Sequence, residues 1–116
     1  MVALVAAVAL AGPPKAFVRT ASGTTRLAVS SWCWASRCGA PFSASRRPAL
    51  AAPGSVVTVV LTFAPTRARV AVGGRRVAVT IDGDAVSWRA SRGGGLIVAV
   101  TGQRGWVTYV GRIRFR

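Results

Sequence analysis

The sequence predicts an all-β fold, an antiparallel sandwich or small barrel of about seven or eight strands. After residue 12, no stretch shows the 3.6-residue period of an amphipathic helix, whereas several segments alternate between apolar and polar residues. Turn signals rich in glycine, proline and aspartate separate these segments at short intervals. Hydrophobic residues make up 52% of the chain, which favours a packed core over disorder.

The N-terminal segment, residues 1–11, is an unbroken apolar run. It is too short for a transmembrane helix, which needs around 20 residues. Ala9-Leu10-Ala11 matches the small-x-small rule for signal-peptide cleavage. We therefore expect a signal peptide over residues 1–11 whose positively charged start is truncated, because no Lys or Arg precedes the run. A buried first strand or helix is the alternative, since periodicity does not distinguish short apolar segments.

The first half of the remaining chain predicts a leader, two longer strands and a long loop. Residues 12–23 are expected to be an extended leader with a short strand at residues 17–19, and the sandwich domain is expected to span residues 24–116. Residues 24–34 alternate as a strand, and residues 39–54, with three prolines, read as a loop that carries Arg46 and Arg47. Residues 55–63 have apolar side chains on both faces, which predicts a central strand.

The second half predicts shorter strands joined by tight turns. Gly73-Gly74 is a two-residue hairpin signal, because both central positions of a type I′ turn need positive φ. Asp82-Gly83-Asp84 is a further turn signal. The strands expected around these and later turns cover residues 67–72, 75–81, 85–90, 96–101 and 106–116.

Both cysteines lie close together in the stretch from Ser31 to Cys38. Cys33 and Cys38 can close a small ring across a turn if their Cα atoms come within disulfide reach. Such a ring stabilises a fold by about 2 kcal/mol. A thiol oxidoreductase is the alternative, but its motif is Cys-x-x-Cys at a helix N-terminus, whereas this spacing has four intervening residues in a strand-like segment.

Two tryptophans flank the first cysteine. On a strand, Trp32 and Trp34 share one face, and the sulfur of Cys33 points to the other. We interpret the two indoles as packing residues rather than as a ligand platform.

The inventory of side chains argues against catalysis and against a metal site. The chain has no histidine, which removes the usual general base near neutral pH. Its only carboxylates, Asp82 and Asp84, flank a glycine in a turn signal. Two cysteines do not provide the four ligands of a zinc site, and Gly93-Gly94-Gly95 lacks the Gly-Lys-Ser/Thr ending of a phosphate loop. We expect a non-enzymatic protein without cofactor or metal.

The strong positive charge is the one feature that predicts a partner. Sixteen basic residues against two acidic ones give a net charge of +14, which attracts polyanions. The partners expected for an exported protein are anionic cell-wall polymers or lipid head groups. Alternation places Arg112, Arg114 and Arg116 on one face of the last strand, and Arg75 with Arg76 forms a second candidate cluster. A basic nucleic-acid-binding β-barrel is the alternative and ranks behind.

Several motifs together resemble a known family. They are Trp32-Cys33-Trp34 followed by Cys38, a long strand that ends near Pro65, and a closing Gly-x-Val-x-Tyr sequence. These resemble a family of small bacterial secreted proteins and lipoproteins that has an immunoglobulin-like β-sandwich and no assigned activity. The positions that correspond are Cys33, Trp34, Cys38, Pro65, Gly95, Gly105 and Tyr109.

The chain departs from the family pattern at three points. Ile97 replaces a tyrosine, Gly111 replaces a phenylalanine, and no cysteine for lipid attachment follows the apolar run. The resemblance implies an immunoglobulin-like fold, an extracytoplasmic location in bacteria, and no catalytic residue.

Overall fold

The computed structural model describes residues 12–39 and 47–116, which form twelve β-strands and no helix. No segment of this described part is therefore a helix that could span a membrane. The strands are β1 (Ala16–Thr20), β2 (Gly23–Arg26), β3 (Ala28–Trp34), β4 (Arg37–Gly39), β5 (Ala49–Ala51), β6 (Val56–Leu61), β7 (Arg67–Val72), β8 (Arg75–Val77), β9 (Thr80–Asp82), β10 (Ala85–Arg89), β11 (Gly94–Gly102) and β12 (Gly105–Phe115).

The strands form two sheets. Sheet I has the order β2-β1-β6-β10-β9, and sheet II has the order β4-β3-β12-β11-β7-β8. Neighbouring strands are antiparallel, except that β5 joins sheet II by running parallel to the end of β12. The predicted antiparallel β-sandwich is confirmed, and the alternative of a closed barrel is not what these strands form.

Eight of the strands follow the immunoglobulin arrangement. In sheet I, β1-β6-β10-β9 have the positions of strands A-B-E-D, and in sheet II, β8-β7-β11-β12 have those of C′-C-F-G. The strands β2 to β5 are added between the first and second strands of this framework. These additions explain why the structure has more strands than the seven or eight that the turn signals predict.

Two segments that the sequence predicts as single strands are each divided between the sheets. Residues 24–34 form β2 and β3, which meet at Leu27. Leu27 is only 2% exposed, and its N–H donates to the carbonyl oxygen of Ala16 at 3.0 Å as the chain passes from sheet I to sheet II. Residues 75–81 form β8 in sheet II and β9 in sheet I. The alternation of apolar and polar residues does not reveal these crossings. A residue that is buried where the chain passes from one sheet to the other continues the same alternation.

The segments predicted as leader and loop also contribute strands. The short strand expected at residues 17–19 within the leader is present as β1, and it pairs with the central strand β6 in sheet I. The expected loop over residues 39–54 contains β5. The signal peptide predicted over residues 1–11 and the predicted exposed position of Arg46 lie outside the described residues.

The core lies between the two sheets, and valine is its commonest residue. The central strand β6 contributes Val57 and Val59, and the last strand β12 contributes Val107, Tyr109 and Ile113. Tyr109 is fully buried, and its hydroxyl donates to the carbonyl oxygen of Pro14 at 2.6 Å. Burial raises the pKa of Tyr109 well above its ordinary value. The tyrosine therefore fastens the N-terminal end of the described chain to the last strand.

The raised pKa of Tyr109 predicts that the fold loses stability in alkaline solution. The unfolded chain releases the phenolic proton near pH 10, whereas the folded chain retains it, so the free energy of unfolding falls as the pH rises above 10. Replacing Tyr109 by Phe costs about 1 kcal/mol at neutral pH, because the bond to Pro14 is lost. The same replacement should remove the part of the stability loss in alkaline solution that the Tyr109 hydroxyl causes.

Urea unfolding of both proteins at about pH 8 and about pH 11 measures these two effects. Tyr109 is the single tyrosine of the chain, so phenolate absorbance reports its ionisation directly. A Tyr109→Phe protein with an equally steep alkaline loss would show that another group is responsible.

Candidate functional site

The two cysteines form a disulfide across a hairpin at one edge of sheet II. Cys33 on β3 faces Cys38 on β4, and their Cα atoms are 4.0 Å apart. The turn between these strands consists of Ala35 and Ser36, whose φ angles are 52° and 66°. Positive φ at both positions is typical of a type I′ turn, although glycine and asparagine are the residues that usually adopt it. The predicted disulfide is thus present, in a hairpin rather than at a helix N-terminus.

The two tryptophans of the hairpin point inward, as predicted. Trp32 is 7% exposed, and its indole lies against Gly39, where an added Cβ would overlap the ring. Trp34 packs on Phe63 with ring centroids 4.6 Å apart, and both rings lie over Gly102. The indoles therefore connect the hairpin to the core, and the disulfide lies on the opposite, outer face of the sheet.

The outer face of sheet II is built by the outward residues of β12, β11 and β7. Three rows cross these strands, and each is fixed by the pairing register. The first row is Trp106, Thr101 and Arg67; the second is Thr108, Ala99 and Arg69; the third is Val110, Ile97 and Ala71. In β3, Cys33 lies next to Trp106 and extends the first row to the disulfide.

The three arginines that the sequence predicts on one face of the last strand do not all lie on that face. Arg112 and Arg114 are exposed on the outer side of β12. Arg116 follows the end of the strand, and its guanidinium donates to the hydroxyl of Ser22 in the turn between β1 and β2. The outer face of sheet II therefore includes the first two of these arginines, whereas the third is directed toward the edge of sheet I.

The second predicted cluster is divided in the same way. Arg76 pairs with the outward residue Ala71 and extends the third row of the outer face. Arg75 pairs with the buried Val72, so alternation directs it to the other side of β8. Both arginines are exposed, but they do not form one patch.

Arg67 and Arg69 were not predicted as site residues. They project from β7 on the outer face, and β11 separates them from Trp106. A shallow groove of about 230 Å³ lies between these two arginines and Trp106. Its lining includes Arg67, Arg69, Ala99, Thr101, Trp106 and Thr108. The sequence Arg-x-Arg at the start of a strand indicates that both arginines share one face. It does not indicate the strand order, which places Trp106 across β11 from them.

The charges are distributed unequally between the two sheets. The strands of sheet II carry seven arginines and no acidic residue; they are Arg37, Arg67, Arg69, Arg75, Arg76, Arg112 and Arg114. The strands of sheet I carry three arginines together with Asp82, and Asp84 lies in the adjoining turn. Because these two aspartates are the only acidic residues of the chain, sheet II presents positive charge alone.

No ligand set for a metal is found in the part of the chain that is described, where no group of three or more histidine, cysteine or acidic side chains comes together. Asp82 ends β9, and Gly83, with φ of 61°, occupies the turn that follows. The predicted turn role of this Asp-Gly-Asp sequence is thus confirmed.

Comparison of the chain with protein-family models, curated proteins and solved structures found no match. Membership of the family that the motifs resemble therefore stays a prediction from the sequence.

The left-handed turn at Ala35 and Ser36 predicts a stabilising substitution. Ser36→Gly removes the steric cost of a side chain at positive φ, and part of this gain is offset by the greater freedom of glycine in the unfolded chain. We expect a net gain of about 0.5–1 kcal/mol in the free energy of unfolding, measured by urea denaturation.

Ser91→Gly is the matched control, because Ser91 is exposed and does not have positive φ. It should lower the stability or leave it unchanged. An equal gain in both variants would mean that the turn at Ser36 is not strained.

Proposed function

We propose that the protein is a non-enzymatic module of the bacterial cell envelope or exterior, with a structural or adhesive role, that holds anionic surface polymers through the arginines of sheet II. The observation that carries this proposal is the separation of charge between the sheets. Five exposed arginines project from the outer face of sheet II, and no acidic residue lies on its strands; they are Arg67, Arg69, Arg76, Arg112 and Arg114. A uniformly positive face attracts a chain of repeated negative charges more strongly than a face of mixed sign.

Arginine suits this role chemically. Its planar guanidinium can donate two parallel hydrogen bonds to one phosphate or carboxylate group. Exposed single pairs contribute little, about 0–1 kcal/mol each. A polymer that contacts several arginines at once adds these small contributions, which gives useful affinity and strong dependence on salt.

Two observations support an extracytoplasmic location. The disulfide between Cys33 and Cys38 is of the kind that persists in oxidising compartments. The apolar run with Ala9-Leu10-Ala11 at its end is typical of an export signal. Cell-wall polymers and the head groups of anionic lipids are the polyanions that a protein in this location meets first.

Binding of single-stranded nucleic acid is the second candidate function. The observation in its favour is Trp106, which is 41% exposed beside Arg67 across β11 and could stack on a base. The β-barrel that this function predicts is not the fold that the strands form. The oxidoreductase alternative gains no such support, because its two cysteines lie on paired strands and lack the helix N-terminus that activates a thiolate.

Paired charge variants test the role of sheet II. The double replacement of Arg112 and Arg114 by Ser lowers the charge of sheet II by two, and the matched replacement of Arg19 and Arg26 by Ser lowers that of sheet I equally. The sheet II variant should bind poly(glycerol phosphate) and phosphatidylglycerol vesicles roughly tenfold more weakly than the unmodified protein. The sheet I variant should lose much less.

The binding of the unmodified protein should also weaken as salt is added, and neutral dextran and phosphatidylcholine vesicles should not bind. An equal loss in both variants would assign binding to the net charge of the molecule rather than to sheet II. Absent or salt-insensitive binding to both anionic probes would remove the proposal.

A further inference from the structure

We propose that the groove between Trp106 and the pair Arg67 and Arg69 is a subsite for one acidic sugar residue of an anionic polysaccharide. This inference rests on the proposed function, since it names the class of polymer and the place where one of its units is recognised. The groove lies on the outer face of sheet II and has a volume of about 230 Å³.

The geometry of the groove follows from the pairing of three strands. Thr101 on β11 pairs with Trp106 on one side and with Arg67 on the other. Neighbouring strands lie about 4.8 Å apart, so the backbones of Trp106 and Arg67 are separated by roughly 10 Å. The side chains between them, Thr101 and Ala99, are short and form a low floor. The site is therefore an open channel with one aromatic wall and one cationic wall.

The two walls offer different chemistry to a ligand. The indole of Trp106 is 41% exposed and provides a flat apolar surface on which the C–H face of a sugar ring can pack. Arg67 and Arg69 project from the same face of β7 and can donate paired hydrogen bonds to a carboxylate. Thr101 and Thr108 also line the channel, and a threonine hydroxyl can exchange hydrogen bonds with sugar hydroxyls. An acidic pyranose ring presents all three kinds of group at once.

A polysaccharide fits this face better than a nucleic acid does. Proteins that bind single strands provide successive aromatic platforms for successive bases. On the described outer face of sheet II, Trp106 is the one aromatic side chain, and the residues further along the same strands are the aliphatic Val110 and Ile97. One ring can therefore pack on this face, at Trp106, and no second aromatic platform follows for a neighbouring base.

The strands on both sides of Trp106 hold its backbone in a fixed position. It lies near the start of β12, hydrogen bonded between β3 and β11, beside Cys33 of the disulfide. A side chain on a strand that is paired along both edges is held more precisely than one on a loop. The aromatic wall therefore exists before the ligand arrives, which lowers the entropic cost of binding.

Three variants and four probes separate the contributions of ring and charge. The probes are polygalacturonate, polyphosphate, neutral dextran and oligo(dT). Trp106→Ala should weaken polygalacturonate binding roughly tenfold and leave polyphosphate binding unchanged, because polyphosphate has no ring to pack on the indole. The double replacement of Arg67 and Arg69 by Ser should weaken the binding of both polyanions.

Ile97→Ala is the matched control for the aromatic variant. Ile97 is 49% exposed on the same face, two rows away from Trp106, and its loss should leave both affinities unchanged. Thermal unfolding of each variant shows that the fold is retained. The fluorescence of the unmodified protein should also change with polygalacturonate, and this change should be absent in the Trp106→Ala protein.

The outcomes distinguish this inference from the proposed function. If polyphosphate and polygalacturonate both fail to bind, the proposed function itself is wrong. If both bind but Trp106→Ala weakens neither or both equally, the proposed function stands and the sugar subsite is wrong. If Trp106→Ala weakens oligo(dT) more than polygalacturonate, the groove is a stacking site for nucleic acid and the inference is overturned.

Discussion

The rest of the structure depends on the pairing of β12 along both of its edges. One edge pairs with β11 from Gly105 to Ile113, and the other pairs first with β3 and then, in parallel, with β5. A slip of one residue in this register would turn Val107 and Tyr109 outward and would bury Arg112. Burial of an unpaired guanidinium is costly, so the hydrophobic core and the cationic face enforce the same register.

Two local features make this pairing possible at the first half of β12. The register between β12 and β3 shifts at Ser30, where β3 has one extra residue, so that Val29 and Trp32 both point inward although they are three residues apart. At Gly105, an added Cβ would overlap the carbonyl oxygen of Cys33, and φ is 148°. The close approach of the two strands here therefore requires glycine. The disulfide hairpin and the start of the last strand are thus fitted to each other.

Sequence reasoning succeeded where a feature depends on neighbouring residues only. The alternation of the last strand as far as Phe115, the central position of residues 55–63 and the turn at Gly73-Gly74 are local patterns, and the structure confirms each of them. The crossing of the chain at Leu27 is different, because a buried leucine fits either a continuous strand or a passage between sheets. Local patterns thus predicted the fold class but not how the chain is divided between the sheets.

The candidate groove shows the same limit more clearly. Arg67 and Trp106 are distant in sequence and become neighbours only because β7, β11 and β12 are adjacent in that order. No pattern within either segment contains that order. The division of the predicted arginine clusters has a related cause, since Arg75 and Arg76 are adjacent in sequence but alternate between the two sides of β8.

The unequal distribution of charge between the sheets also affects how a bound polyanion changes the stability of the fold. The arginines of sheet II repel one another, and this repulsion opposes the compact state to an extent that salt reduces. A bound polyanion relieves the repulsion, but the unfolded chain carries the same net charge of +14 and attracts polyanions as well. A ligand stabilises a fold only by the difference between its affinities for the folded and unfolded chains. Charge alone contributes to both affinities, so a polyanion that stabilises the fold selectively has to recognise a fixed arrangement that the unfolded chain lacks. The spacing of Trp106, Arg67 and Arg69 across three paired strands is such an arrangement.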